Sequence, residues 1–250
     1  MAVHPTAIVE SGAEIGPGCD IGPYAVIYAG VRMGARNRVH AFAVLGDVPQ
    51  DKKGGGAPTR VEIGDDNVFR EHVTVHRGTR SAAERAERKG GLGGHHPPSR
   101  TARESVTRIG SKNLFMVGSH VAHDVTIGSN VVVANAVQLA GHVVVEDFAT
   151  FGGLAGVAQF VRVGESAFVA AGAMVERDVP PFCIAQGDRA RVRAVNRVGL
   201  ERRGVPRESI AEIERVFRAI FFAKGPRSEA LARVATDDPF AARLVASLAR

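Results

Sequence analysis

Aliphatic side chains recur every six residues along most of the chain. The repeat breaks twice and then continues to its last member, Val175. A period of six fits neither an α-helix nor an alternating strand, but it is typical of a backbone that turns one flat side of a triangular coil every six residues. We therefore predict a parallel β-helix. Its inward positions are Val3, Val9, Ile15, Ile21, Ile27, Met33, Val39, Leu45, Ile63, Phe69, Val75, Ile109, Phe115, Val121, Ile127, Val133, Leu139, Val145, Phe151, Val157, Val163, Val169 and Val175.

Small residues stand at fixed offsets from these positions. A glycine often follows the aliphatic residue, as Gly16, Gly34 and Gly64 do, and we expect it to supply the backbone angles of a sharp corner. The residue four places along is small or β-branched, for example Ala25 and Ala43. We expect these side chains to point inward near the corners.

The two breaks predict loops that project from corners, at residues 46–60 and 79–107. The second is rich in Arg, Gly and Pro, which indicates a mobile surface loop. The alternative is that this loop binds a partner. We predict that residues 1–187 form the β-helix and that residues 188–250 form a small C-terminal α-helical domain. Pro206 is expected to open one helix, and Asp238 to cap the last one.

Composition narrows the class of protein. The chain has 250 residues, of which 45% are hydrophobic and 6% aromatic, so the predicted core consists of small and β-branched side chains. The net charge of +6 suits nucleic acid, anionic lipid, nucleotides or an acidic protein. Cys19 and Cys183 have neither disulfide-like nor metal-ligand spacing, and no signal peptide is evident. We therefore expect a cytoplasmic protein with reduced thiols.

Histidines gather in one segment. His120 and His123 flank the inward Val121, which predicts that both lie on the outward surface of their coil, and His142 follows one coil later. A histidine whose tautomer is held by a neighbouring carboxylate, here Asp124, can serve as a general base, and the Gly141 N–H is a candidate oxyanion donor. A three-histidine zinc site is the alternative, although no thiolate or glutamate lies nearby to support it.

The chain resembles the UDP-N-acetylglucosamine O-acyltransferase family, which begins lipid A biosynthesis. The resemblance extends from His4 to the helical tail, and the repeats begin too early for the sister N-acyltransferase, which has an extra N-terminal domain. It is carried by the motifs His120-Val121-Ala122-His123-Asp124, Leu139-Ala140-Gly141-His142-Val143, Asp178-Val179-Pro180-Pro181, Ala185-Gln186-Gly187 and Gly199-Leu200-Glu201-Arg202-Arg203-Gly204. It implies a left-handed β-helix, a handedness that the period alone does not give.

The same resemblance implies an activity and a site. A 3-hydroxyacyl group would pass from acyl carrier protein to the glucosamine 3-hydroxyl of UDP-N-acetylglucosamine, in a homotrimer with active sites between subunits. His123 would be the base, Asp124 its partner and Gly141 the oxyanion donor. No cofactor is implied, because the 4′-phosphopantetheine arm arrives on the carrier protein. The implied substrate contacts are Gln50, Asp51, Lys53, His120, His142 and Gln159, the tail residues Asn196, Arg202 and Arg203, and Ala171 at the chain-length position.

Three departures from the family pattern leave the acceptor open. Ala158, Arg189 and Val198 stand where the family has His, His and Glu. A 3-amino analogue of the UDP-sugar, which would give an amide, is therefore an alternative. A non-catalytic hexapeptide-repeat module and a zinc enzyme of the carbonic-anhydrase branch are two others. Nucleic acid binding is disfavoured because the chain lacks an aromatic stacking platform. The basic residues instead suit an acidic carrier protein, with Arg162, Arg189, Arg191, Arg193 and Arg197 as candidate contacts.

Overall fold

The computed structural model describes residues 2–51, 59–79 and 105–249. Within these ranges the strands form three sheets that wrap around one interior as a left-handed parallel β-helix. Strand partners in neighbouring coils lie 18 residues apart, as Val133 and Phe151 do, so three hexads make one coil. Lys53 and most of the two predicted loops lie outside the described residues.

Each sheet contains one strand from nearly every coil. The first sheet consists of Ala2–Val3, Asp20–Ile21, Arg38–Val39, Val68–Phe69, Leu114–Phe115, Val132–Val133, Thr150–Phe151, Phe168–Val169, Cys183–Gln186 and Arg191–Val195. The second consists of Ile8–Val9, Val26–Ile27, Val44–Asp47, Thr74–His76, His120–Val121, Gln138–Leu139, Gly156–Val157 and Met174–Val175. The third consists of Glu14–Ile15, Val31–Met33, Arg60–Ile63, Val106–Ile109, Thr126–Ile127, Val144–Val145 and Arg162–Val163.

The hexad positions form the core, as predicted. Every one from Ile21 to Val175 is buried, because the coil on each side covers it. Val3 and Val9 are instead exposed, at 41% and 37%, because they belong to the first coil and have a neighbour on one side only. The small residues at the fourth offset, such as Ala25 and Ala43, are also fully buried.

The expectation for the glycines was wrong in most coils. A Cβ on Gly16 would lie 2.5 Å from the carbonyl oxygen of Gly34, and one on Gly64 would lie 2.8 Å from that of Gly110. These glycines are therefore needed because neighbouring coils approach closely. None of Gly16, Gly34, Gly64 and Gly110 has a positive φ. The backbone has a positive φ two residues after the glycine position of the hexad. Residues with side chains occupy that position, for example Tyr24, whose φ is 56°.

Buried asparagines link the coils at the corner between the third and first sheets. The side-chain oxygen of Asn37 accepts a hydrogen bond from the Asn67 backbone N–H at 2.9 Å. That of Asn67 accepts one from the Asn113 N–H at 3.0 Å. The amide of Asn67 also donates to the Gly110 carbonyl at 3.0 Å. This ladder satisfies polar backbone groups that the corner would otherwise leave buried without partners.

The C-terminal part begins with an antiparallel hairpin, Cys183–Gln186 with Arg191–Val195, and the predicted boundary at residue 187 falls in its turn. The helices α1 to α4 follow, at Arg197–Arg202, Arg207–Phe221, Arg227–Arg233 and Pro239–Leu248. Pro206 precedes α2 and the Asp238 side chain caps α4, as predicted, whereas α1 was not predicted. No helix in the described ranges has both the length and the apolar character needed to cross a membrane. Both cysteines are buried and unpaired.

Candidate active site

The corner between the second and third sheets carries both interruptions of the repeat. The first leaves the strand Val44–Asp47 of the second sheet and returns at Arg60–Ile63 of the third. The second leaves Thr74–His76 and returns at Val106–Ile109 in the same way. The histidine segment turns at this corner too. The points where both interruptions leave and rejoin the β-helix therefore lie along the same edge as the candidate base.

Residues at two neighbouring turn positions form two columns along this edge. His123, Gly141 and Gln159 share one turn position on successive coils, and Asp124 and His142 each follow in the next position. Asp124 and His142 have positive φ values of 61° and 62°, so their side chains leave the turn in the same way. The His142 ring centroid lies 5.1 Å from that of His123, almost perpendicular to it. The predicted proximity of these two histidines is thus observed.

His123 is held by Asp124. The Nδ1–H of the ring donates to the Oδ2 atom of Asp124 at 3.0 Å, which leaves Nε2 free to accept a proton. We predicted a position on the outward surface, but the His123 side chain is only 9% exposed. It is buried because it lies against Gly141, where a Cβ would be 2.6 Å from Nε2. The imidazole of His123 fits in this position because Gly141 has no side chain.

Asp124 is surrounded by hydroxyl groups. The Oγ1 hydroxyl of Thr79 donates to Oδ2 at 2.8 Å, Ser105 donates to Oδ1, and the backbone N–H of Asp124 donates to Thr107 at 2.9 Å. Burial acts to raise the pKa of Asp124, but the hydrogen bonds from His123, Ser105 and Thr79 outweigh it and hold that pKa well below its usual range. The carboxylate is therefore ionised at neutral pH. No sequence pattern identified these three hydroxyls, which belong to residues at least 17 positions from Asp124 along the chain.

A divalent metal ion could bind beside the base. One ligand atom each from His123, Asp124 and His142 lies within 4.8 Å of the others. Two imidazoles and a carboxylate are a donor set that zinc accepts. Both oxygens of Asp124 already accept hydrogen bonds, however, so an ion would have to compete with Thr79, Ser105 and the ring.

His120 lies three residues before the base, on the strand His120–Val121 that leads into its turn. Its Nδ1 atom shares a hydrogen bond of 2.7 Å with the hydroxyl of Thr74, and its ring meets that of His76 edge-on at 4.7 Å. Burial, together with the neighbouring His76 and His123, lowers the pKa of His120 to about 4. Burial also lowers the pKa of His76. His120 is therefore a neutral hydrogen-bonding group, and His76 is a neighbour that the sequence analysis did not single out.

The backbone N–H of Gly141 is available to a ligand. Across the described ranges we find no acceptor for it. Three other turns have proline, which has no N–H, at the same position: Pro5, Pro17 and Pro23. The coil geometry therefore leaves this N–H without a backbone partner, beside the imidazole of His123.

The remaining predicted contacts divide into two groups. Gln50 and Asp51 follow the strand Val44–Asp47 at the same edge as His123, and Gln159 is exposed there. Ala171 lies elsewhere, at the corner between the first and second sheets, where it is exposed. One chain therefore does not bring Ala171 to the corner of the base.

The tail residues also lie away from His123, and two of them have partners within the chain. The Asn196 side chain accepts a hydrogen bond from the Gly199 N–H at 3.1 Å and donates to the Ser166 carbonyl at 2.9 Å. Arg203 forms an ion pair with Glu165 at 2.5 Å. Arg202 is exposed and forms no ion pair with any residue that the structure describes. It is the tail residue most available to an anionic ligand.

Comparisons with known proteins agree with this architecture. Residues 178–250 match the family model "Udp N-acetylglucosamine O-acyltransferase; Domain 2". An acyl-[acyl-carrier-protein]–UDP-N-acetylglucosamine O-acyltransferase of Anaeromyxobacter dehalogenans strain 2CP-1 is 40% identical over 94% of the chain and 90% of its own length. Among solved structures, the UDP-N-acetylglucosamine acyltransferase of Bacteroides fragilis has a TM-score of 0.81 at 29% identity, covering 99% of this chain and 97% of its own. The O-acyltransferase of Moraxella catarrhalis has a TM-score of 0.77 at 31% identity, covering 100% and 97%.

Proposed function

Because the chain belongs to the acyl-[acyl-carrier-protein]–UDP-N-acetylglucosamine O-acyltransferase family, we propose that it transfers a 3-hydroxyacyl group from acyl carrier protein to the 3-hydroxyl of UDP-N-acetylglucosamine, in lipid A biosynthesis. The observation that carries this is the arrangement of His123, Asp124 and Gly141 at one corner. It combines a base with a free Nε2, an ionised carboxylate that orients the base, and an N–H without an acceptor among the described residues.

The chemistry proceeds by acyl transfer. Nε2 of His123 accepts the proton of the acceptor hydroxyl as its oxygen attacks the thioester carbonyl carbon. The Gly141 N–H donates to the oxyanion of the tetrahedral intermediate. As the intermediate collapses, the carbon–sulfur bond breaks and the imidazolium returns its proton to the departing sulfur. The products are the acylated sugar and the free thiol of the carrier's arm.

Asp124 acts through His123. Its hydrogen bond to Nδ1–H fixes the tautomer in which Nε2 is the acceptor, and its negative charge stabilises the imidazolium that forms during the reaction. Because its own pKa is held so low, it does not take the proton itself. His142, whose Nε2 is 3.8 Å from the same carboxylate oxygen, lies next to this pair.

Residues at the same edge would contact the acceptor. The neutral His120 and the exposed Gln159 are assigned to the sugar, together with His142, and Gln50, Asp51 and Lys53 to the sugar and phosphate region. Arg202, exposed at the end of α1, is assigned to the diphosphate, which an arginine binds well. Asn196 and Arg203 would support this segment through their contacts to Ser166 and Glu165.

The separation of these residues supports a homotrimer with sites between subunits. Ala171 and the tail lie at other corners of the β-helix than His123, and corners of one prism point apart. A site that uses His123 together with Ala171 and the tail residues therefore needs a corner from a second copy of the chain. The excess of basic residues, including the exposed Arg191 and Arg193, would attract the acidic carrier protein. The cytoplasmic location stays a prediction.

A product assay tests the proposal. The enzyme is incubated with 3-hydroxyacyl carrier proteins of several chain lengths and with UDP-N-acetylglucosamine or its 3-amino analogue, and products are identified by mass spectrometry. Ester product that disappears in His123→Ala supports the proposal. Amide product alone would assign the acceptor to the 3-amino sugar and implicate Ala158 and Val198, both exposed. No product with any donor would favour a non-catalytic module.

A further inference from the structure

Thr79 and Ser105 lie at the two ends of the second interruption, and both reach the carboxylate of Asp124. The Thr79 hydroxyl donates to Oδ2 at 2.8 Å, and the Ser105 hydroxyl donates to Oδ1. The Thr79 backbone N–H lies 3.0 Å from the Ser105 hydroxyl oxygen and 3.3 Å from Oδ2. The two ends are therefore joined to each other and to the same acidic group.

These contacts are shielded from water. Thr79 is 5% exposed, Ser105 is 1% exposed, and the Asp124 side chain is 5% exposed. Water therefore cannot easily replace a hydroxyl that is removed, and the carboxylate would lose a donor outright. The Oδ2 atom accepts from Thr79 and from His123 at once, so the threonine helps to set the direction in which this oxygen meets the ring.

We propose that Thr79 and Ser105 are positioning residues for the general base. They hold the Asp124 carboxylate in the orientation that keeps His123 Nε2 directed at the acceptor, and they act through Asp124. The two ends of the second interruption thus form part of the support of the active site. This inference rests on the proposed function, because it assigns a role within that reaction.

A double-mutant cycle tests this role. Thr79→Val removes the hydroxyl and preserves the shape, and we expect it to lower kcat about tenfold while KM for UDP-N-acetylglucosamine changes less than about twofold. In an Asp124→Asn background the same change should lower kcat by less than about twofold, because residues that act as a unit are not additive. Ser105→Ala should behave in the same way in both backgrounds.

Matched variants separate positioning from folding. Thr79→Ser keeps a hydroxyl and should retain most of kcat, and Thr126→Val, at an exposed position of the third sheet, should match the wild type. Equal losses from Thr79→Val with and without Asp124 would overturn the positioning role while leaving the proposed function intact. A wild-type enzyme that transfers no acyl group would instead reject the proposed function, and this inference with it.

Discussion

The imidazole of His123 lies against the α-carbon of Gly141 in the next coil, so closely that a methyl group on Gly141 would be 2.6 Å from Nε2. The residue that would donate to the oxyanion thus also makes space for the base. This relationship depends on the stacking of two coils, because the two residues are 18 positions apart and share one turn position.

Gly141→Ala should therefore damage catalysis more than stability. The added methyl group displaces the ring from its place against Gly141. We expect kcat to fall about 100-fold, as when an oxyanion donor is lost. The comparison is Gly153→Ala, because a Cβ at Gly153 meets only the Asn135 carbonyl at 3.4 Å. Steady-state kinetics of both variants check this, and similar kcat values for the two would contradict it.

A chelator should leave the activity unchanged. In the proposed mechanism His123 acts as a base without a metal, although its site could hold an ion with Asp124 and His142. We expect enzyme treated with EDTA and desalted to keep its full kcat, and added zinc to inhibit by occupying Nε2 or the carboxylate. Loss of activity with EDTA and recovery with zinc would establish the metal-enzyme alternative.

Stability should fall as the pH is lowered, in part through His120. Its pKa is about 4 in the folded protein and about 6.5 in an unfolded chain. Between these values the unfolded state binds a proton that the folded state does not, so this group lowers stability as pH drops from about 6.5 to about 4. Urea unfolding at pH 7 and pH 5 should show a smaller difference for His120→Gln than for wild type. The exposed control His4→Gln should leave the difference unchanged.

Asn67→Ala should weaken the whole β-helix. The change leaves the Asn113 N–H and the Gly110 carbonyl, both partners of the Asn67 side chain, without their hydrogen bonds in a buried corner. We expect the free energy of unfolding to fall by about 2–4 kcal/mol. Denaturant unfolding measures it, with the exposed Asn135→Ala as the control. A loss of under about 0.5 kcal/mol would show that the ladder is not needed.

Ala171→Gly should lengthen the preferred acyl chain. Removing the methyl group at this exposed position would leave room for a longer acyl chain, and a single methylene in an apolar site changes kcat/KM by roughly tenfold or more. Competition between carrier proteins loaded with different 3-hydroxyacyl chains gives the ratio directly. An unchanged ratio would remove Ala171 from the determinants of chain length.

The sequence by itself determined the coil and the pair His123 and Asp124. The hexad repeat is local, since each aliphatic side chain lies at a fixed distance along the chain from the next, and so its pattern predicted the core from Ile21 to Val175. The pair is local for the same reason, because its two residues are adjacent. The helix ends at Pro206 and Asp238 likewise follow from the backbone chemistry of single residues.

Only the tertiary structure decided what surrounds that pair. Thr79 and Ser105 reach Asp124 because the second interruption leaves and re-enters the β-helix beside it, and no local pattern records where a loop returns. The burial of His123 depends on Gly141 in the next coil. Close contacts between coils, rather than turn geometry, also explain most of the glycines that follow hexad positions. Such contacts depend on register between residues far apart in sequence, which a repeat predicts in general but does not specify for each side chain.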